Sequence, residues 1–330
     1  MRPWRSKASE EVAVLIPAYM SASFLDRTLH FARGQTHTAI RIIVSVDAGS
    51  DDSAAIAHRH AALDPRIAVH EQSDRMGWAG NVNFLIDRVE TPYYFLYFHD
   101  DIVLPQYVQA LLSMLQADSN AAGVYCDMGH FGASDHVSVG PAYTGGTVAR
   151  LLTLLLSPQR GSPLRALLRT DKAGHLKIPD IGSGGFWANE PFLMDMISAG
   201  PLLHLDEVLY LRWNDREDGL TDGWKKLAPA VVVAGWKANI EQRLQIIERV
   251  TDRENERVAL RFALFLHVFP HLQPICEDRD NDLVRSPADF HPVFAEPGTP
   301  DVLAGFGAAL ESFGRDRYTH CMAQGLYDDN

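Results

Sequence analysis

The sequence predicts an α/β protein: a Rossmann-like, doubly wound, mostly parallel sheet followed by a C-terminal helical extension. Three observations carry this. Short apolar segments alternate with amphipathic helical segments over about the first hundred residues, the pattern of parallel strands joined by crossover helices. Polar or glycine-containing turns follow each apolar segment directly. From Lys237 onward the apolar spacing turns helical, with Ile240, Leu244, Ile247 and Val250 and then Ala259, Leu260, Phe262, Leu264 and Phe265.

The elements follow in order. Residues 12–17 form an apolar strand, and residues 23–33 a helix in which Phe24, Leu25, Leu29 and Phe31 recur at helical spacing. A second strand at 40–47 is rich in β-branched side chains and precedes an Ala-rich helix at 53–63. A third strand at 67–70 leads to a helix at 79–89, with Val82, Leu85, Ile86 and Val89 on one face. The fourth strand, 93–98, reads Tyr-Tyr-Phe-Leu-Tyr-Phe. Residues 107–115 are predicted helical and 122–128 a strand, with a Gly- and Ser-rich loop over 129–147. Residues 151–168 read as two short Leu-rich helices that cap a core, and their arginines leave peripheral contact with a bilayer surface open. A helix at 191–198 and a strand at 207–211 complete an α/β domain over 1–235, on which helices of 236–330 pack.

With 330 residues, 46% apolar and 22% charged, the chain can bury a large core. A formal charge of -12 argues against nucleic acid as partner, since that grip depends on phosphate neutralisation by Lys and Arg. Cys126, Cys276 and Cys321 are odd in number and far apart, which suggests neither a disulfide framework nor a zinc cluster and fits a cytoplasmic location. No signal-like leader is seen, and no run approaches the ~20 uninterrupted apolar residues of a transmembrane segment.

Four polar turns stand directly after the first four strands: Pro17-Ala18-Tyr19, Asp47-Ala48-Gly49-Ser50-Asp51-Asp52-Ser53, Arg75-Met76-Gly77-Trp78-Ala79-Gly80-Asn81, and His99-Asp100-Asp101. Loops at the carboxyl ends of parallel strands share one edge of a sheet, where open α/β folds bind ligands. Each turn alone has an ordinary reading, Asp47 and Ser50 as capping residues, Tyr19 as core, Arg75 as a surface cation. Together they converge. His99-Asp100-Asp101 offers hard oxygen ligands and an imidazole for a divalent metal, and the imidazole tilts the preference from Mg²⁺ towards Mn²⁺.

These residues resemble the inverting glycosyltransferases of family 2, which have the GT-A fold. Val12 through Tyr19 look like the family's opening strand with its Pro-x-Tyr turn, although Met20 stands where an Asn is usual. Val44 through Ser53 are similar to its Asp-rich second turn. The resemblance implies a nucleotide-binding half over about 10–128, in which Pro17, Ala18, Tyr19, Asp47, Arg75, Gly77, Asn81, His99 and Asp100 contact a nucleoside diphosphate sugar, with Asp47 reading the base edge and UDP the expected nucleotide. It implies an acceptor half over about 129–235, binding the hydroxyl of a glycan, lipid or small molecule. His99-Asp100-Asp101 looks like the metal-binding DXD, with His99, Asp100 and Asp101 as ligands to Mn²⁺ or Mg²⁺. The strand register makes Asp101 the principal ligand, whereas counting back from Pro105 favours Asp100.

For the general base, Glu190 resembles the family's acidic motif upstream of its Tyr-x-x-Arg strand, and Asp218 is the alternative. Gly184 and Trp187 suit stacking against an acceptor sugar. Asn214 falls where relatives carry a His near the diphosphate. A sugar-1-phosphate nucleotidyltransferase is disfavoured by the lack of a Gly-rich phosphate loop after the first strand, and a dinucleotide oxidoreductase by the lack of G-x-G-x-x-G. A metal-dependent binding module is weakened by Gly49, which stands where a hydroxyl ligand would be needed. A GT-A protein that binds a sugar nucleotide without turning it over is a further alternative.

Overall fold

The computed structural model describes residues 10–132, 135–157, 162–182, 185, 187–214, 223–224, 226–278 and 283–295. Strands β1 (Val12–Ala18), β2 (Ile40–Val46), β3 (Ile67–Glu71) and β4 (Tyr93–Leu96) lie parallel, joined by helices α1 (Leu25–Arg33), α2 (Ser53–Leu63) and α3 (Gly77–Ile86). The chain continues through β5 (Ile102–Val103), α4 (Tyr107–Ala117), β6 (Gly123–Gly132), β7 (His136–Ser138), α5 (Thr147–Leu156), β8 (Leu167–Arg169) and α6 (Thr170–Ala173). It ends in α7 (Asn189–Ala199), β9 (Leu202–Asn214), α8 (Pro229–Val250) and α9 (Glu254–Glu277). The sheet order is β3-β2-β1-β4-β8-β6-β9-β5, with β7 paired to β6.

Alternation along the strands separates two cores. One face buries Val12, Val14, Ile16, Phe95 and Tyr97 against α1, α2 and α4. The other buries Ala13, Leu15, Tyr94, Leu96 and Tyr125 against α3, α5 and α7, and this core continues without a break into α8 and α9. The C-terminal helices are therefore part of the main core, and the predicted boundary at 235/236 falls inside α8.

Three expectations change. Residues 167 and 168, predicted within a Leu-rich helix, form β8 together with Arg169 and pair antiparallel with β4 on one side and β6 on the other; a three-residue strand shows no periodicity and takes its state from its neighbours. The 129–147 loop instead begins with the end of β6 and contains β7. Gly129 serves a close strand approach there, since a Cβ would meet the Leu211 side chain at 2.7 Å. The strand at 207–211 is in fact thirteen residues long.

Among the described residues, one helix, Glu254–Glu277, is long and apolar enough by length and composition to cross a membrane, against the sequence expectation of none. Its Ala259, Leu260, Ala263, Leu264, His267, Val268 and Leu272 are buried in the core shared with α5 and α7.

Candidate active site

The first three turns meet at the carboxyl ends of β1 and β2. Asp47, 2% exposed, ends β2, and its carboxylate accepts hydrogen bonds from the backbone N–H groups of Met76 at 2.7 Å and Gly77 at 2.9 Å. Arg75 Nε lies 3.1 Å from the same carboxylate, and its guanidinium stacks on the Tyr19 ring. Gly77 has φ +70, a left-handed conformation that lets the chain turn into α3 with its N–H aimed at Asp47. Tyr19, Asp47, Arg75 and Gly77 thus form one cluster, as the sequence predicts. Asp47 is already satisfied by α3 and Arg75, so a base that used its carboxylate would first displace Arg75. Asn81 is buried and donates to the carbonyls of Ala18 and Ser45; it ties the ends of β1 and β2 together. Met20 has φ 46, a backbone state that Asn tolerates better than Met. That accounts for the residue usual at this position.

The fourth turn lies beside this cluster. His99 Nδ1 bonds to the carbonyl of Pro17, at 2.8 Å, and its ring stacks on Phe24, so Nε2 is the atom it can offer a ligand. Asp100 is half-buried at the rim, and Arg27 donates to its backbone carbonyl at 2.8 Å while its guanidinium lies over the rings of Phe131 and Trp213. Asp101 points inward. It is 2% exposed and accepts from the Tyr210 hydroxyl at 2.8 Å, the Trp213 backbone N–H at 3.2 Å and Arg165 at 3.3 Å. Burial pushes its carboxyl up, against the pull of the Arg165 guanidinium. Of the two carboxylates between which the sequence leaves the register open, Asp101 has its oxygens engaged in the core and Asp100 stands at the rim.

Among the described residues, no group of three or more His, Cys, Asp or Glu side chains is gathered to hold a metal. One carboxylate and one imidazole fit an ion shared with a bound phosphate, the usual arrangement for Mg²⁺ in phosphate sites, and they do not fit an all-protein cage. Arg212, part of β9, lies within electrostatic range of Asp100 and Asp101, and burial lowers the pKa of its guanidinium. Arg27, Arg165 and Arg212 come from three distant segments, so no local motif marks them for this rim.

The acceptor-side predictions fare differently. Gly184 and Asp218 lie outside the described residues. Trp187, with φ 59, packs within ring-contact distance of Trp236 and His271, and its carbonyl accepts from Asn239. Its ring therefore serves a contact between the α7 approach and α8, the core reading of that aromatic, rather than an open platform. The loop before it reaches the nucleotide side, where Trp78 Nε1 donates to the Gly185 carbonyl.

Glu190 is 5% exposed, and its Oε2 lies 2.7 Å from Arg243 of α8 and 3.2 Å from His267 of α9. This carboxylate joins α7 to both C-terminal helices, which disfavours it as a base that must meet an incoming hydroxyl. Removing one partner of a buried ion pair typically costs ~3–5 kcal/mol. Arg243→Met is therefore expected to lower the urea midpoint by that stability; an unchanged midpoint would mean that the pair does not hold the helices.

A second group of titratable side chains gathers where β6 meets β9. Tyr94 of β4 and Gly123 of β6 both pair with Leu168, so β6 runs parallel to β4 and on past its end. Met128, next to Asp127, pairs with Tyr210, whose hydroxyl meets the Phe98 N–H and the Asp101 carboxylate, and Asp127 shares the face of Tyr125. Opposite it the β6–β9 register jumps, Cys126 facing Leu205 but Asp127 facing Val208, which leaves Asp206 and Glu207 bulged out and exposed. His204 Nε2 lies 2.7 Å from Asp127 Oδ1. Burial raises the Asp127 pKa, His204 opposes this, and the neighbouring Asp206 carboxyl raises it further. The available signal was the acidic pair Asp206-Glu207 just upstream of Tyr210 and Arg212, which strand alternation masked.

Comparison with known proteins bears on the fold and on family likeness. The sequence model described as "Glycosyl transferase family 2" matches residues 13–157. The chain is 27% identical over 121 residues to chondroitin synthase of Escherichia coli, covering 34% of this chain and 16% of that protein. It is 28% identical over 111 residues to the processive diacylglycerol beta-glycosyltransferase of Mycoplasma pneumoniae, covering 33% of each. The matched part thus spans a third or less of these relatives' length. In structure the chain resembles S. aureus TarS in complex with UDP-GlcNAc, with TM-score 0.67 and 13% identity over 97% of this chain and 93% of the other. It also resembles the mannosyltransferase PcManGT from Pyrobaculum calidifontis in complex with GDP-Man and Mn²⁺, with TM-score 0.53 and 15% identity over 94% and 83%. The fold is of the GT-A type, and the chain resembles family 2 glycosyltransferases in the order of its motifs.

Proposed function

We propose that this glycosyltransferase, of the family 2 kind in fold and motif order, moves a sugar with inversion from a UDP-sugar to an acceptor hydroxyl. The observation that carries the proposal is the meeting of Tyr19, Asp47, Arg75 and Gly77 with His99 and Asp100 along one sheet edge. Tyr19 and Asp47 form the base pocket once Arg75 swings off the ring, and Arg75 is then placed to meet the diphosphate. Asp100, with His99 beside it, would hold Mn²⁺ or Mg²⁺, which when bound supplies charge neutralisation to the departing diphosphate. Arg212 adds positive potential at the same rim.

On the acceptor side, Asp206 takes the hydroxyl proton as the oxygen attacks the anomeric carbon, while the bond to the diphosphate oxygen breaks. It is exposed at the edge, whereas Glu190 is tied to Arg243. UDP as nucleotide is supported by the UDP-GlcNAc seen with TarS, and Mn²⁺ by its presence with PcManGT. The acceptor is a hydroxyl compound presented from the 129–235 half.

A thermal-shift panel of UDP, GDP, dTDP and CMP, each with Mn²⁺, Mg²⁺ or EDTA, tests the donor side. At 100 times its dissociation constant a ligand stabilises by ~2.7 kcal/mol. The expected result is a shift selective for UDP that needs the metal. The absence of a shift with every nucleotide would remove the reading.

A further inference from the structure

The hairpin of β6 and β7 gathers polar side chains beside the metal turn that the transfer step leaves unused. His130 of β6 is 8% exposed, and both of its ring nitrogens are engaged: Nδ1 lies 2.9 Å from the Asn214 Oδ1 and Nε2 2.7 Å from the Ser138 hydroxyl. An amide oxygen can only accept, so Nδ1 carries the proton and Nε2 accepts from Ser138. Burial pushes the imidazole down in pKa, the Asn214 bond opposes this, and His136, Arg212 and Arg165 push it further down, so the ring stays neutral with this one N–H. The exposed His136 ring stacks on it at 4.0 Å and 8°.

The backbone fixes where Asn214 stands. It ends β9, and there His130 pairs with Arg212 and Gly132 with Asn214. Gly132 has φ +110, and a Cβ on it would meet the Trp213 ring at 2.7 Å and the Asn214 carbonyl oxygen at 2.8 Å, so glycine lets β6 close on this corner. Paired residues and residues two apart share a face, which puts His130, Arg212 and Asn214 on one side of the sheet. Trp213 donates its backbone N–H to Asp101, and Arg212 lies within electrostatic range of Asp100 and Asp101. Asn214 thus stands at the rim of the His99-Asp100-Asp101 turn. His130 holds its amide oxygen, and among the described residues its N–H₂ group has no hydrogen-bond partner.

We infer that Asn214 donates this N–H₂ group to the diphosphate of the bound sugar nucleotide, and that His130, backed by Ser138, is the positioning residue that sets the orientation of the amide. This rests on the reading of that rim as the donor site. A carboxamide that turned freely would present its oxygen to an anion as readily as its nitrogen. The Nδ1–H of His130 removes that choice before the ligand arrives, so less freedom is lost on binding. A hydrogen bond to a charged phosphate oxygen is also stronger than one between neutral groups.

The test measures UDP affinity of the full chain by calorimetry with Mn²⁺, and the ¹⁵N NMR signals of the His130 ring in the metal-free resting protein. Asn214→Ala is expected to weaken UDP binding by about 10–100-fold, the scale of a hydrogen bond to a charged group. Asn214→Asp keeps an oxygen for His130 but turns an anion on the diphosphate, so it should bind UDP more weakly still. His130→Phe should lose about 2–10-fold, the scale of ordering one side chain, and should add nothing in the Asn214→Ala background, since it acts only through that amide. His130→Asn returns an N–H to the Asn214 oxygen and should bind UDP as the wild type does. The ring proton is expected on Nδ1.

Wild-type affinity in Asn214→Ala, or tighter binding by Asn214→Asp than by Asn214→Ala, would overturn the contact. A His130→Phe loss that persists in full without Asn214, or a proton on Nε2, would overturn the positioning. If His130→Phe fails to fold, His130→Asn and the NMR arm still decide. A wild-type protein that binds no UDP would instead overturn the donor-site reading beneath both.

Discussion

Asp100→Asn is expected to lower sugar transfer by about 10²–10³-fold, the equivalent of the several kcal/mol that a metal supplies to developing charge. The substitution keeps size and shape at the half-buried rim, and Arg27 holds the backbone carbonyl of residue 100 rather than its side chain, so folding should be unaffected. Asp101→Asn provides the contrast. Its carboxylate is engaged by Tyr210, Trp213 and Arg165 in the interior, so the change weakens the partner of a buried guanidinium and should appear first as lost stability, on the ~3–5 kcal/mol scale of a broken buried ion pair. Steady-state kinetics and urea unfolding of the two variants separate these outcomes. Loss of activity at normal stability in Asp101→Asn, with Asp100→Asn near wild type, would return the metal to Asp101.

The second large effect is at the acceptor. Asp206→Asn should lose about 10²–10⁴-fold in kcat, the usual share of general-base catalysis, with the donor nucleotide bound as before. The exposed bulge position makes a folding defect a poor explanation for such a loss. Glu190→Gln is the control. It weakens the link to Arg243 and His267, so stability should fall while transfer by the folded protein persists. Full transfer in Asp206→Asn together with none in folded Glu190→Gln would exchange the two roles.

The nucleotide side was legible in the sequence because its signals are local. Each strand of the first hundred residues carries its polar turn with it, and parallel topology alone brings Tyr19, Asp47, Gly77 and His99 to one edge. What stayed hidden depends on neighbours distant in sequence. The inward turn of Asp101 is set by Tyr210 and Arg165, and nothing in His-Asp-Asp tells which carboxylate faces the core. β8 exists because β4 and β6 flank it. Glu190 follows glycines and aromatics in a way that resembles a catalytic loop, yet its partners Arg243 and His267 lie in the two C-terminal helices, more than fifty residues later. Asp206 and Glu207 stand at the start of an apolar run that reads as plain strand, and only the jump in pairing with β6 pushes them out.

The most direct measurement is an anomalous difference map from crystals grown with UDP and Mn²⁺. The expected result is a manganese peak at the Asp100 carboxylate, with the uracil ring on Tyr19 and Arg75 displaced from it. A diphosphate bound elsewhere, or one bound at this edge with Asp100 turned away from it, would contradict the assignment of the site.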